Sequence, residues 1–531
     1  MSRNTYTAIL IALSASLLSI PFLVPGTGFL SLIAFVPLLL AEEVAHESES
    51  KRFCWWHYLC FVLWNAATTF WVCNATVAGG IFAILANAFQ MSLIFGLFRW
   101  SRKHLSGALP YIFLAFTWIA WERFYLTLAQ ISWPWLVLGN SFARTTGWIQ
   151  WYEFTGSLGG SLWIWAANLS LFGILMALAK GSWFRWNWKA RTAAVLGTLT
   201  VLVAPPVVSR FIEPEPAEGN LDVAVIQPNI DPYNKFGGMT QEEQNSLLLS
   251  QITSSEYAPG TLVIAPETFT NDVRTDDIPA SPTVGMFQGF VDSHPGVSFL
   301  FGASSWTYLQ HHGRPSKTAR ELRDGLWLES HNSAIMLNAG KDPQIFHKSK
   351  LVVGVESIPY PAVFRPLDDL LGGVMGRDIG QKEVSLLDCV TGDGGTVPVG
   401  CAICYESVYG EYCTEYVRKG ARALAVITND AWWKDTPGYR QHLSYSSLRA
   451  IETRRWIARC ANTGISAVID PSGNILEKTA WWQPQVLQSK IGISDEETFF
   501  VSHGDFIGRI CVLMFFLILS GTLVRGIVSK K

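Results

Sequence analysis

The stretch Val397-Pro398-Val399-Gly400-Cys401-Ala402-Ile403-Cys404-Tyr405-Glu406 sets the reading of this chain. It is a short run of small and β-branched residues without polar alternation. It stops abruptly on a thiol and a carboxylate. A run of that kind predicts a strand buried on both faces. The same shape recurs at 221–227, 261–265, 298–302, 333–337, 423–428 and 465–469. Helical patterns lie between several of these runs, around 240–255, 409–419 and 443–460. Strands that alternate with helices predict a layered α/β domain over 221–505.

Outward from that domain the composition changes. Residues 211–220 read as a linker rich in Glu and Pro. Residues 1–210 hold 19 charged side chains and 16 Trp, whereas 211–531 hold 63 and 7. Such a step marks a change of solvent, from membrane to water. The whole chain of 531 residues has 23 Trp, 13% aromatic residues, a net charge of −2 and a mean hydropathy of +0.23. Disordered chains are charge-rich and poor in aromatics, so that class is excluded. A nucleic-acid binder is not expected, because no basic tract stands out.

A spanning helix needs about 20 mostly apolar residues. Seven stretches qualify near 6–24, 28–41, 54–74, 77–98, 108–128, 158–179 and 192–210, and an eighth near 506–526. Pro25 and Gly26 separate the first two, which read equally as one broken re-entrant element. The first stretch lacks a strong basic leader and an Ala-x-Ala site, so it is expected to be retained rather than cleaved. Basic residues cluster at Lys51 and Arg52, at Arg99, Arg102 and Lys103, and at Lys180, Arg185, Lys189 and Arg191. Two helices separate each cluster from the next, so all three share one face, the cytoplasmic one by the positive-inside rule. Residues 211–505 then fall on the outer face, and 506–531 return as a helix and a tail carrying Arg525, Lys530 and Lys531. Glu122 and Arg123 sit at the end of one span, either as an interfacial pair or facing a cavity in the bundle. The loop Ile131-Ser132-Trp133-Pro134-Trp135-Leu136 suits the interface or the mouth of a lipid site, and composition does not choose.

Polar residues gather at strand ends, where α/β sheets bind ligands. Glu267 follows Val263-Ile264-Ala265-Pro266, Cys404 ends its own run, and Asn429 and Asp430 end 423–428. A thiol needs a base to take its proton and a cation to hold a developing oxyanion. Glu267 suits the first task, and Lys348 in Phe346-His347-Lys348-Ser349-Lys350-Leu351 the second. Singly these residues are weak signals, since a free Cys packs as a small hydrophobe. A papain-like pairing of Cys404 with His442 has no support in the local sequence. The nine cysteines are odd in number and show no framework spacing. Cys401 and Cys404 form a lone C-x-x-C without the partners of a metal or redox site.

Taken in order, Val-Ile-Ala-Pro-Glu267-Thr, Phe-His-Lys348-Ser-Lys-Leu and Ala-Ile-Cys404-Tyr-Glu resemble the Glu-Lys-Cys pattern of the nitrilase superfamily. Ile226-Gln227-Pro228-Asn229-Ile230, Thr428 to Trp433, Gln441-His442-Leu443 and Asn462-Thr463-Gly464 strengthen the resemblance. Set between seven helices and one, with Pro134-Trp135-Leu136 in an outer loop, the domain is similar to the apolipoprotein N-acyltransferase family. The resemblance covers essentially the whole chain. It implies an αββα sandwich beside about eight membrane helices, in the inner membrane of a diderm bacterium and facing the periplasm. It also implies acyl transfer from a phospholipid, typically phosphatidylethanolamine, through a thioester on Cys404 to the α-amine of a diacylglyceryl-cysteine. Glu267 is then the base and Lys348 the oxyanion partner. Glu356 is a second carboxylate, and Tyr405 and Glu406 shape the pocket. A monomer without metal or dissociable cofactor is expected. The chain departs from the family pattern at Lys350, where His is usual, at Val353-Gly354-Val355 in place of Pro-Phe-Gly, and at Phe236 in place of Trp. Of two lysines, Lys348 keeps the eight-residue spacing to Glu356. The competing readings are a membrane-tethered amidase with the same triad and a non-enzymatic membrane scaffold.

Overall fold

A computed structural model describes residues 2–528 apart from Lys317, Leu371, Gly372 and Val374, with backbone only for Phe236, Leu367 and 526–528. Lys530 and Lys531, expected in the tail, lie outside the described residues. All eight expected stretches form helix, at Arg3–Leu23, Val36–Glu47, Phe53–Thr69, Val77–Ser101, Leu109–Thr127, Tyr152–Ala179, Trp188–Ser209 and Phe506–Val528. Among the described residues, six segments are long and apolar enough to cross a membrane: Arg3–Leu23, Gly28–Glu47, Val77–Ser101, Tyr152–Ala179, Trp188–Ser209 and Phe506–Arg525. Phe53–Thr69 falls short at 17 residues. The second segment is broken, with a 3₁₀ turn over Gly28–Ile33 before the helix proper.

The three basic clusters meet at one end of the bundle. Arg102 pairs with Glu42 and, at 2.8 Å, with Glu43, which Lys180 also reaches at 3.2 Å. Arg99 donates to the carbonyl of Ser50 at 2.9 Å. The α/β domain sits on the opposite end. Its helix Pro437–Thr453 presents Gln441, which accepts from the indoles of Trp135 (2.8 Å) and Trp71 (3.2 Å). The same amide donates to the carbonyls of Phe22 (3.2 Å) and Thr68 (3.1 Å). One buried side chain thus ties two membrane helices and two loops to the domain.

The domain has two sheets. The larger runs in the order Gln485–Ile493, Gly219–Gln227, Leu262–Ile264, Ser298–Gln310, Leu326–Asn338, Arg320–Arg323. Off that path, Thr270–Arg274 pairs with Ser298–Gln310 and Gln344–His347 with Leu326–Asn338. The smaller runs Ile475–Lys478, Ala467–Ile469, Ile457–Ala461, Ala423–Thr428, Thr396–Ile403, Leu386–Val390. Side chains alternate across a strand. Leu221, Val223 and Val225 therefore share a core with the smaller sheet, while Ala224 and Ile226 pack under the helices Gln241–Thr253 and Pro282–Ser293. The helices Gly410–Arg418 and Pro437–Thr453 close the far side and complete the αββα layers. That core runs on without a break into the membrane helices.

Two expectations need correction. The first strand begins at Gly219, inside the stretch read as linker. The helix expected over 443–460 ends at Thr453, and Ile457–Ala461 is a strand parallel to Ala423–Thr428. Arg454 turns the chain with a φ of +47°, a conformation L-residues adopt only when it is held. Its guanidinium is held by Glu153 at 2.5 Å and by the side-chain oxygen of Gln150 at 2.8 Å, both from the bundle. No Gly or Pro marks that stop in the sequence, because the partners lie about 300 residues away.

Replacing Gln441 with Leu keeps the volume but strips these bonds. Each buried polar group left unpaired costs about 1–3 kcal/mol. The expected outcome in detergent is a fall of several degrees in the thermal midpoint, measured by intrinsic fluorescence, with no change in the variant Gln488→Leu on the exposed edge strand.

Candidate active site

Glu267 follows the strand Leu262–Ile264, Lys348 follows Gln344–His347, and Cys404 follows Thr396–Ile403. The two sheets bring these ends together. The Lys348 ammonium, 1% exposed, lies 3.0 Å from Glu267 and 2.8 Å from Glu356. Asn332 donates to both carboxylates at 2.8 Å. The backbone N–H of Asn429 donates to the other Glu267 oxygen at 3.1 Å. Burial alone would raise the Glu267 pKa. The Lys348 charge and these bonds hold it below the usual carboxylate range, and the thiol of Cys404 adds a further hydrogen bond. Burial opposes charge on Lys348 as well, but its two carboxylates keep it cationic well above neutrality. Burial and the Glu267 charge push the Cys404 thiol up, against the pull of Lys348. The resting site is thus a protonated thiol facing an ionised carboxylate and a fixed cation.

Cys404 itself has a φ of +51° at the step from strand to 3₁₀ turn. Left-handed backbone at a non-glycine persists where neighbours over-determine it. Glu406 is the main brace. Its carboxylate is fully buried and accepts from the N–H groups of Ile403 (2.8 Å), Ser349 (2.6 Å) and Lys350 (3.2 Å) and from the Tyr412 hydroxyl (2.7 Å). One side chain therefore locks the Cys404 turn to the Lys348 loop. His442 does not approach the thiol as a papain-like base would. It donates from Nε2 to the Cys404 carbonyl at 3.0 Å, and its Nδ1 faces Asp430 at 2.9 Å. Arg459 in turn holds Asp430 at 2.7 Å. Lys350 is also elsewhere, with its ammonium over the rings of Tyr409 and Tyr412.

Tyr405 faces the membrane part. Its hydroxyl donates to the carbonyl of Ser132 at 3.1 Å, and its ring stacks near Trp133. The loop 131–136 is therefore packed against the Cys404 turn, with Pro134, Trp135 and Leu136 buried. Glu122 and Arg123 part company. Glu122 turns inward to accept from Trp118 and from the N–H of Leu138, while Arg123 reaches Glu411 and Asp505 at 3.0 Å. A cavity of about 350 Å³ opens between this loop and the Lys348 loop, lined by Leu126, Thr127, Ser132, Lys350, Ile358 and Tyr409.

Comparison with known proteins now adds to this geometry. Residues 14–170 match the model of the apolipoprotein N-acyltransferase N-terminal domain, and residues 316–498 match that of the carbon-nitrogen hydrolases. The apolipoprotein N-acyltransferase of Chlorobaculum tepidum is 29% identical over 91% of this chain and 90% of its own length. That of Geobacter metallireducens is 29% identical over 94% and 92%. The chain belongs to the apolipoprotein N-acyltransferase family. It is a membrane protein and an enzyme of the carbon-nitrogen hydrolase type. Among solved structures, Saccharomyces cerevisiae Nit3 of the nitrilase superfamily gives a TM-score of 0.37 at 16% identity, covering 54% of this chain and 94% of that one.

Several site residues were hidden from sequence reasoning in this N-acyltransferase. Asn332 lies in a strand run whose polar triplet His331-Asn332-Ser333 was the one available hint. Lys235, buried, donates to the Glu267 carbonyl and to Thr268 at 3.2 Å, and burial lowers its pKa to about 7. Nothing local marks it. The side chain of Phe236 lies outside the described residues. All nine cysteines are free, and among the described residues no group of three or more His, Cys, Asp and Glu is placed to hold a metal ion.

The charges fix a sign. Because the Glu267 anion helps raise the thiol pKa, Glu267→Gln favours the thiolate. The pH profile of Cys404 alkylation by iodoacetamide, read by peptide mass spectrometry, is expected to move to lower pH in that variant. A shift to higher pH would contradict the placement of the two groups.

Proposed function

We propose that this chain transfers an acyl chain from a phospholipid to the α-amine of the N-terminal diacylglyceryl-cysteine of lipoproteins, through a thioester on Cys404. What supports the reading is the convergence of Glu267, Lys348 and Cys404 beside a membrane loop, in a chain of this family. Glu267 takes the thiol proton and the thiolate attacks the ester carbonyl. The ammonium of Lys348 stabilises the oxyanion. The ester C–O bond breaks, and the lysophospholipid oxygen leaves with the proton from Glu267. In the second half the lipoprotein amine attacks the thioester carbonyl, the C–S bond breaks, and Glu267 carries a proton from the amine to the departing thiolate. Glu356 holds Lys348 in place, Glu406 holds the two reacting loops together, and Tyr405 joins the nucleophile turn to the membrane loop.

Both substrates are anchored by acyl chains, and drawing a chain into water costs about 0.8 kcal/mol per methylene. A site at the bundle end avoids that cost. A second cavity of about 220 Å³ shares Leu126, Thr127, Lys350 and Tyr409 with the first, so the two adjoin beside the Lys350 loop. The cations gathered at the other end support a reading in which that end is cytoplasmic and the catalytic domain, over 221–505, is periplasmic. The donor is phosphatidylethanolamine and the working unit a monomer, with membrane parts at 1–210 and 506–531.

The test uses the full chain in proteoliposomes containing phosphatidylethanolamine and a diacylated lipopeptide. The expected outcome is a triacylated lipopeptide, seen by mass spectrometry. General acid–base and oxyanion groups each contribute about 10²–10⁴ in rate, so Glu267→Gln and Lys348→Met should lose at least a hundredfold and Cys404→Ala all activity. Free fatty acid or a hydrolysed amide without lipopeptide product would instead favour the amidase reading.

A further inference from the structure

The end of the bundle away from the catalytic site carries a second built cavity. Arg99, Arg102 and Lys180 face the carboxylates of Glu42 and Glu43, so cations exceed anions there. Tyr111 also donates to Glu43, which leaves that carboxylate fully engaged. A cavity of about 420 Å³ opens over Arg102, Tyr111 and Lys180. It continues into a groove of about 800 Å³ whose lining is mostly apolar. The two share Gly107, Ala108, Leu169, Gly173, Met176 and Lys180, so they form one channel with a charged head and an apolar tail.

The dimensions fit one lipid. From Lys180 back to Leu169 the helix covers eleven residues, which at 1.5 Å per residue is about 16 Å. Half a hydrocarbon core is about 15 Å. The tail therefore runs the depth of one leaflet, between the helices Tyr152–Ala179 and Trp188–Ser209. The side chain of Lys180 remains 55% exposed and keeps donors for a ligand beyond its bond to Glu43. Along the tail, Gly173 and Gly197 leave open space, since no atom lies within 4 Å of where a Cβ would stand. The second helix needs a filler. Among its described residues only Thr198 and Ser209 are buried.

We propose that this channel binds an anionic glycerophospholipid from the leaflet opposite the catalytic domain. The phosphate sits on Lys180 and Arg102, and one acyl chain lies along Gly173 and Gly197. The lipid is a structural ligand distinct from the acyl donor, which is drawn from the other leaflet.

Native mass spectrometry of the full chain with dioleoylphosphatidylglycerol or dioleoylphosphatidylcholine tests this. The wild type is expected to retain the anionic lipid in clear preference. Lys180→Glu should reduce that retention about fivefold or more, the scale of one interfacial cation. Gly173→Phe and Gly197→Phe put a ring into the tail from positions where an added Cβ meets no atom within 4 Å, and should reduce it similarly. Equal retention of the two lipids by the wild type would overturn the proposal. So would unchanged phosphatidylglycerol retention in both glycine variants, and these remain informative should Lys180→Glu fail to fold.

Discussion

One ammonium group organises the catalytic half of this molecule. Lys348 sits out of water between Glu267 and Glu356, and Asn332 closes the square. Removing one partner from such a buried pair costs about 3–5 kcal/mol, because the survivor is left as an uncompensated charge. The four residues must therefore arrive together. They come from a strand end, a strand interior, a loop and a turn, so the register of the larger sheet is fixed by chemistry as well as by packing. Gly302 shows how tight the fit is. A Cβ there would lie 2.5 Å from the Cα of Glu267.

Cys404 depends on that arrangement through Glu406, which accepts from both the Cys404 turn and the Lys348 loop. The same turn is gripped from behind by His442, next in sequence to Gln441. Gln441 reaches into the bundle while His442 reaches the carbonyl of Cys404. Adjacent residues on one helix thus couple the seating of the domain on the membrane helices to the geometry of the Cys404 turn.

The sequence was legible where chemistry and element ends coincide. Glu267 and Cys404 each close a short apolar run, Lys348 is marked by its motif and its spacing to Glu356, and the helices announce themselves by length and hydropathy. It was illegible where distant partners decide. The stop of the Pro437–Thr453 helix is set by Glu153 and Gln150, and the hold on the Glu267 turn by Lys235, buried but preceded by an ordinary loop. The choice between Lys348 and Lys350 rested on spacing alone, and the structure puts Lys348 between Glu267 and Glu356 and Lys350 over two tyrosine rings. The loop 131–136 had two readings by composition, and its hydrogen bonds to Tyr405 and Gln441 place it against the Cys404 turn.

The central claim is that Cys404 carries the acyl chain between two lipid substrates. Intact-protein mass spectrometry after incubation with phosphatidylethanolamine tests it most directly. The account predicts an acyl-sized mass gain that hydroxylamine removes, that Cys404→Ala lacks, and that a diacylated lipopeptide discharges. An adduct that persists in Cys404→Ala, or none on folded and active protein, would contradict it.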